Sequence, residues 1–375
     1  MKIVLPHISR RIAMVAACPF PAPQGSQALI KETVTALQGQ GHEVRLVVYG
    51  HGTDETWDAA PIHRCMRLPG YRKTAAGPSI WKPVADAALV MTLRRVVREH
   101  AIDVVHAHNY EGLLAALVAR VRPVVYHAHN AMVDELPYFM RPRRWAQRFG
   151  SALDRSLPRR ADAIVAPHGE LADYLVAECA CRPDQVSIVP PSCKVDRFGD
   201  NRKLGDSPRV LYMGNLDSYQ NLPFLQQAMT IVRQTLPDAR LTVATSAHCD
   251  LPDVDVMASA GFSAVREALQ EDVVVACPRK SWSGYPIKLL NAMAAGKPVV
   301  AHRGCAHPIA PGVDGLVADT PEAFAEDMIR LLRDKELRAH LGDKARETIM
   351  REHSPEICAA KLERVYDSVL RDTEH

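Results

Sequence analysis

The chain contains no uninterrupted apolar run long enough to cross a bilayer as a helix. Its nine cysteines are scattered, odd in number and free of any Cys-x-x-Cys pair, so they imply neither a disulfide framework nor a zinc finger. Cys179 and Cys181 alone are too few for a zinc site. A reducing cytosol is the expected location. Excess charge of one sign is also missing. Lys and Arg number 46 against 43 for Asp and Glu, and a net +3 is too small to imply a nucleic-acid partner by itself. There is no full Gly-x-Gly-x-x-Gly dinucleotide fingerprint. Finally, "SGYPIKLLNAMAAGKPVVA" (283–301) holds a helix start and a helix stop but no acidic residue.

What is present is an alternation of short apolar strands with helical patterns, which predicts an α/β fold with parallel sheets. In the first half the expected strands are 12–17, 43–49, 103–106, 123–128, 163–166 and 186–189. Helical spacing covers 28–38, 85–99 and 113–120. The stretch "SRRIAMVAAC" (9–18) has the look of a short export signal. Its apolar part is shorter than a signal core, however, and makes a good first strand. After "PPSCKVDRF" and the polar "GDNRKLGDSPR" the pattern restarts, with strands 210–213, 240–244 and 273–276 and helices 222–234, 286–295 and 355–370. The organisation expected is two similar Rossmann-like domains, 1–190 and 191–353, with a last helical segment 354–375. Open parallel sheets bind ligands at the carboxyl ends of their strands, so two such domains would face one another across a cleft.

Two glycine turns stand at matching places. Gly25 and Ser26 are expected just before the first helix, and Gly214 follows the first strand of the second half in "YMGNLDSYQN". A helix amino end with free amides favours a phosphate or a sugar oxygen. The segment "PRKSWSGYPIKLLNAMAAG" adds a third such place. Proline is expected in the first helical turn there, and Lys288 is a counter-charge for a diphosphate.

In their order and spacing these motifs resemble the nucleotide-sugar glycosyltransferases of the two-domain GT-B type, in particular the retaining group called family 4. "PAPQGSQALIKETVTALQGQGHEV", "DVVHAHNYEG", "PVVYHAHN", "ADAIVAP", "VSIVPPSCKVDRF", "VLYMGNLDSYQN" and "GYPIKLLNAMAAGKPVVA" carry the resemblance over nearly the whole chain. It implies an acceptor-side first domain, a donor-binding second domain and a carboxyl-terminal helix crossing back to the first. It also implies a nucleotide-diphosphate sugar as donor substrate, no cofactor and no required metal. Donor contacts would come from Gly25, Ser26, Gly214, Asn215, Gln220, Arg279, Ser283, Gly284, Tyr285, Pro286, Ile287, Lys288 and Asn291. The chain departs from the family where two glutamates, with seven residues between them, usually contact sugar and ribose. Those positions hold Ser283 and Asn291, and the usual arginine and lysine after the second glycine turn are Asn215 and Gln220. Arg279 and Lys288 are expected to supply the missing positive charge.

His106 with His108, and His127 with His129, lie two apart near strand ends, so each pair shares one face. Such pairs could form a metal cluster, but the resemblance implies that no metal is bound. The resemblance gives His129 the role of a histidine that hydrogen-bonds the donor sugar. Asp134 and Glu135, on a loop following it, are acceptor-side candidates for orienting or deprotonating a hydroxyl. The stretch "RPRRWAQRFGSALDRSLPRR" (141–160) has seven arginines against one aspartate. Trp145, Phe149 and Leu153 form an apolar stripe that either rests on an anionic membrane or packs into its own domain. Nucleic acid is not expected, because aromatics suited to base stacking are lacking.

The sequence thus predicts a retaining hexosyltransferase in cell-surface glycan or glycolipid synthesis, acting on a glycan, lipid-linked or small-molecule hydroxyl acceptor. Its expected place is the cytoplasm or the inner face of the plasma membrane. The alternatives are a catalytically silent nucleotide- or glycan-binding partner protein and a sugar-nucleotide epimerase on the same fold.

Overall fold

The computed structural model describes residues 8–22, 25–52, 57–69, 71, 81–199, 209–258 and 262–371. Most of the polar stretch 199–209 lies outside them. The chain divides into two compact units, Met1–Pro190 with Pro355–His375, and Pro191–Ser354.

Unit 1 carries strands β1 (Arg11–Ala16), β2 (Glu43–Val48) and β3 (Ile62–Arg64), with helices α1 (Gly25–Gly39) and α2 (Lys82–Glu99). It continues through β4 (Val104–His108), α3 (Asn109–Ala119), β5 (Val124–His127), α4 (Met132–Phe139) and α5 (Arg143–Ser156). It closes with β6 (Ala163–Ala166), α6 (Gly169–Ala177) and β7 (Val186–Ile188). The seven strands form one parallel sheet in the order β3-β2-β1-β4-β5-β6-β7. Residues 12–16 of β1 are entirely inside, so the suspected export segment is the middle of the core.

Unit 2 repeats the plan with β8 (Arg209–Met213), α7 (Leu222–Thr235), β9 (Leu241–Thr245), β10 (Asp255–Ala258), α8 (Phe262–Ala268) and β11 (Val273–Cys277). Then follow α9 (Ile287–Ala294), β12 (Val299–His302), β13 (Leu316–Ala318), α10 (Pro321–Arg333) and α11 (Lys335–Glu352). Its six strands are parallel in the order β10-β9-β8-β11-β12-β13. The last helix, α12 (Pro355–Arg371), belongs to unit 1, where Ala359, Leu362, Val365, Tyr366 and Val369 join the core beneath α1.

Parallel strands need crossovers, and alternating strands and helices supply them. Strands covered on both faces read as continuous apolar runs, as in "VVVAC" of β11, wholly buried. In each sheet the strand order reverses once, between β1 and β4 in unit 1 and between β8 and β11 in unit 2. Such a switch point opens a crevice at the carboxyl ends of the strands. Among the described residues no helix is long and apolar enough to cross a membrane.

Candidate functional site

In unit 2 the expected donor residues gather at the switch point, after β8 and after β11. Gly214 ends β8 with φ at +130°, a region that L side chains rarely adopt. A Cβ there would also lie 2.6 Å from Nζ of Lys288. At Gly284 a Cβ would meet a guanidinium nitrogen of Arg279 at 2.2 Å. Both glycines are therefore places where a cation rests directly on backbone.

Lys288, in the first turn of α9, donates to Gln220 Oε1 at 2.7 Å and to Tyr212 Oη at 3.1 Å, with its ammonium 4.4 Å from the Tyr212 ring centre. Burial, reinforced by the nearby Arg279, pulls its pKa down to about 8. Gln220 is nearly buried, and its amide donates to Asn215 Oδ1 at 2.6 Å. Asn215 in turn donates to Tyr219 Oη at 2.9 Å, and the Arg279 guanidinium lies 5.2 Å from the Tyr219 ring centre. Asn215 and Gln220 thus hold the cation that remains; they do not merely stand where two cations are missing.

Several expectations need correction. Gly25 and Ser26 are the first two residues of α1, inside the helix. Their amides are among the first four, which have no partner within the helix. Pro286 is the N-cap of α9, one position outside it. A proline fits there because the N-cap N–H is not used by the helix. The α9 end also offers fewer free amides than expected. Ile287 N–H is taken by Tyr285 C=O, and those of Leu289 and Leu290 by Pro286 C=O. Cationic side chains must supply more of the field. Ser283 is wholly buried and frames the site from within. Asn291 is half-buried, its Oδ1 4.0 Å from the Cys193 thiol. The Tyr285 hydroxyl lies 3.3 Å from His353 Nε2, and His353 Nδ1 reaches Pro191 C=O at 2.7 Å, tying the last turn of unit 2 to its first residue.

In unit 1 the four histidines meet where β4 and β5 end. His108 pairs with His127 in register, and all four side chains are buried. His106 Nε2 lies 3.0 Å from His127 Nδ1, His108 Nδ1 lies 3.0 Å from His129 Nε2, and His106 Nδ1 reaches the Tyr366 hydroxyl at 2.6 Å. Burial first, and for His106, His108 and His129 the neighbouring imidazoles next, pushes these pKa values down, to about 3 at His127. All four rings are neutral near pH 7. Nitrogens of His106, His108 and His127 lie within 4.8 Å of one another, as a metal site requires. The rings of His106 and His108, however, stack 11° from parallel with centroids 4.7 Å apart. A ligating imidazole points its lone pair along its own plane, so one ion cannot serve two such rings without rotation. His129 Nδ1 is buried and has no hydrogen-bond partner among the described residues.

Asp134 and Glu135 are not on a loop. They occupy the first turn of α4, where the helix dipole stabilises carboxylates. Glu135 also accepts from the Asn130 side chain. Two of the three stripe residues of α5 are exposed, Trp145 at 67% and Phe149 at 54%, while Leu153 is half-buried; the buried seam is the next one over, Ala146, Gly150 and Asp154. Packing of the stripe into its own domain is thereby overturned.

Asp154, the one acid among seven arginines, is wholly buried. It accepts from both the Tyr110 and Tyr174 hydroxyls and from the Met132 and Val133 amides, at 2.9 Å and 3.0 Å for the two amides. It therefore fixes the start of α4, directly after His129. Asp154→Ala removes the acceptor that these four donors share and should cost about 3 kcal/mol, whereas Asp154→Asn keeps part of the network. Urea unfolding of both variants, followed by hydrogen exchange over 129–135, measures this. Equal stability of Asp154→Ala and the parent would contradict it. Tyr212 was hidden from sequence reading because it sits in an apolar strand. A tyrosine just before a glycine turn is the signal that could have found it.

Comparison with known proteins gives the family. Residues 24–192 match the model of the glycosyl transferase 4-like domain, and residues 207–334 that of glycosyl transferases group 1. The D-inositol 3-phosphate glycosyltransferase of Corynebacterium glutamicum is 25% identical over 96% of this chain and 97% of its own length. The phosphatidyl-myo-inositol mannosyltransferase of Mycolicibacterium smegmatis is 26% identical over 96% of this chain and 94% of its own. Among solved structures, sucrose-phosphate synthase of Thermosynechococcus elongatus shares the fold with a TM-score of 0.79, at 15% identity, over 97% of this chain and 100% of that one.

Proposed function

Since the chain belongs to the 4-like, group 1 family of GT-B nucleotide-sugar glycosyltransferases, we propose that it transfers a hexose to a hydroxyl acceptor with retention of anomeric configuration. The observation that carries this reading is the pair of cations packed on glycine backbone at the unit 2 switch point. Lys288 and Arg279 neutralise the charge that builds on the diphosphate as the anomeric carbon–oxygen bond breaks. Gln220, Tyr212 and Asn215 hold Lys288 in place beforehand, so little reorganisation is needed during reaction. Asn291 pairs with the ribose through neutral hydrogen bonds, weaker than the usual carboxylate's. The α1 amino end, with Gly25 and Ser26, offers amides to a second oxygen of the donor. His129 Nδ1 hydrogen-bonds the sugar. The acceptor oxygen bonds to the anomeric carbon from the face the diphosphate leaves, and its proton passes to a diphosphate oxygen. Asp134 and Glu135 orient the acceptor.

No metal is proposed, because two fixed cations take the part a divalent ion would play. Chelator is therefore expected to leave turnover unchanged, and a loss restored by added Mg2+ or Mn2+ would refute this. The exposed α5 stripe, flanked by Arg144, Arg148 and Arg155, suits an anionic membrane surface at the cytoplasmic face. This supports a glycan or glycolipid acceptor presented there. The role is tested with radiolabelled UDP- and GDP-hexoses and membrane extracts as acceptor source. Transfer should fall about a hundredfold in His129→Ala and lie below detection in Lys288→Ala. Diphosphate binding without transfer to any acceptor would favour the silent binding protein, the reading that the absent carboxylates at 283 and 291 keep alive.

A further inference from the structure

Unit 1 has a second charged feature, at the end of its sheet away from the histidines. A cavity of about 600 Å3 is lined by Arg122, Arg159, Arg160, Arg182 and Asp162, with Leu117, Ala161 and Val369 as its apolar wall. It opens at the amino ends of β5 and β6, since Arg122 lies two residues before β5 and Asp162 directly precedes β6. The histidines lie at the opposite, carboxyl end of the same sheet.

The lining carries four positive charges and one negative. The single carboxylate is already committed: Asp162 accepts from Arg122 Nη1 at 2.5 Å and from the Val124 amide at 2.7 Å. Arg182 meets Asp184 at 3.4 Å with both side chains highly exposed, a pair of little strength. Among the described residues, Arg159 and Arg160 have no side-chain partner. Guanidinium groups about 8 Å apart in water repel by roughly 0.5 kcal/mol per pair, and an anion between them reverses the sign. The turn that bears them is prepared in advance. Pro158–Arg160 is a 3-10 turn, and the side-chain amide of Gln185, itself almost wholly buried, donates to Arg159 C=O at 3.4 Å and to Ala161 C=O. This buried amide holds the backbone on either side of Arg160, and the Arg159 and Arg160 side chains extend from that turn into solvent. Planar guanidinium forks converging on one cavity suit the oxygens of a phosphate group.

We propose that this cavity is an anion site for a phosphate group, separate from the diphosphate site of unit 2. The phosphate is either free, as in inorganic phosphate or a phosphorylated small molecule, or the headgroup of an anionic lipid.

Two titrations at low salt test it on the full-length protein, one with inorganic phosphate and one with phosphatidylglycerol vesicles. Arg159→Ala/Arg160→Ala is compared with Arg95→Ala/Arg98→Ala, which removes the same charge from α2. All four side chains are exposed, so both variants should fold. Saturable phosphate binding that weakens about tenfold or more in the 159/160 variant alone establishes the site with a free anion. Vesicle binding that weakens likewise, without phosphate binding, establishes a lipid headgroup. Binding of neither probe, or equal losses in both double variants, overturns the proposal. Uridine and guanosine diphosphate affinity is measured on the same samples. It should be unchanged in the 159/160 variant, so failure of this site is distinguishable from failure of the donor site.

Discussion

Nucleoside-diphosphate affinity should fall about tenfold for each pH unit above 8, and Lys288→Met should lower it at least about a hundredfold while flattening that dependence. The reason is the position of the ammonium. Burial lowers its pKa from 10.5 to about 8 in the free protein. A bound diphosphate places negative charge beside the ammonium and raises the pKa again. Binding near pH 8 must then take up part of a proton, and affinity is lost as pH climbs and the free lysine becomes neutral. Calorimetry in two buffers of different ionisation enthalpy reads the proton directly. An unchanged heat in both buffers, with pH-independent affinity from 7.5 to 9.5, would remove Lys288 from the site.

The same lysine sets a stability trend. Its folded pKa lies below its unfolded value, so between pH 8 and 10.5 the unfolded chain binds more protons and stability rises with pH. Below pH 8 the buried charge costs about 2 kcal/mol, the full conversion being trimmed because part of the side chain still touches water. The donor site is paid for in stability, as functional sites commonly are.

The second large effect is acid lability of unit 1. His106, His108, His127 and His129 are held neutral when folded but accept protons at about pH 6.5 when unfolded. Folded pKa values below the unfolded one mean that stability is present above pH 6.5 and lost as pH falls beneath it. Each histidine contributes a slope of about 1.4 kcal/mol per pH unit, down to its own folded pKa. Two such groups already remove about 3 kcal/mol per unit, against a total stability of about 5–15 kcal/mol for a domain. Unit 1 should therefore open between about pH 4 and 5. Hydrogen exchange of 103–109 and 123–129, corrected for intrinsic rates, follows it. His108→Gln should reduce the slope by one histidine's share. A flat profile from pH 7 to 5 would mean that the rings are already charged in the folded state.

The sheets were legible because their strands are apolar on both faces and separated by helices of ordinary length. The short edge strands Ile62–Arg64 and Asp255–Ala258 carry no such signal because they are half-solvated, and Leu316–Ala318, though mostly buried, is only three residues long. Helix α4 reads as a loop because Pro137 lies inside it. In the α5 sequence the apolar stripe drew attention away from the real seam. That seam is built from Ala146, Gly150 and an acid, and small residues leave no hydrophobic trace. The glycine turns and Lys288 could be picked out from the chain alone. What Lys288 touches could not, because Tyr212 and Gln220 lie 76 and 68 residues away in sequence and only the β8–β11 pairing unites them. The same holds for Arg279 against Gly284: five residues apart, they meet only because the turn folds back.

The measurement closest to the core of this account is hydrogen exchange during titration with uridine and guanosine diphosphates. One of the two should bind saturably, one per chain, and protect 212–221 and 279–291 most strongly. Saturation that leaves those two segments exchanging at their free rates, or no binding of either nucleotide, would contradict a diphosphate cradle made from Lys288, Arg279 and the backbone they rest on.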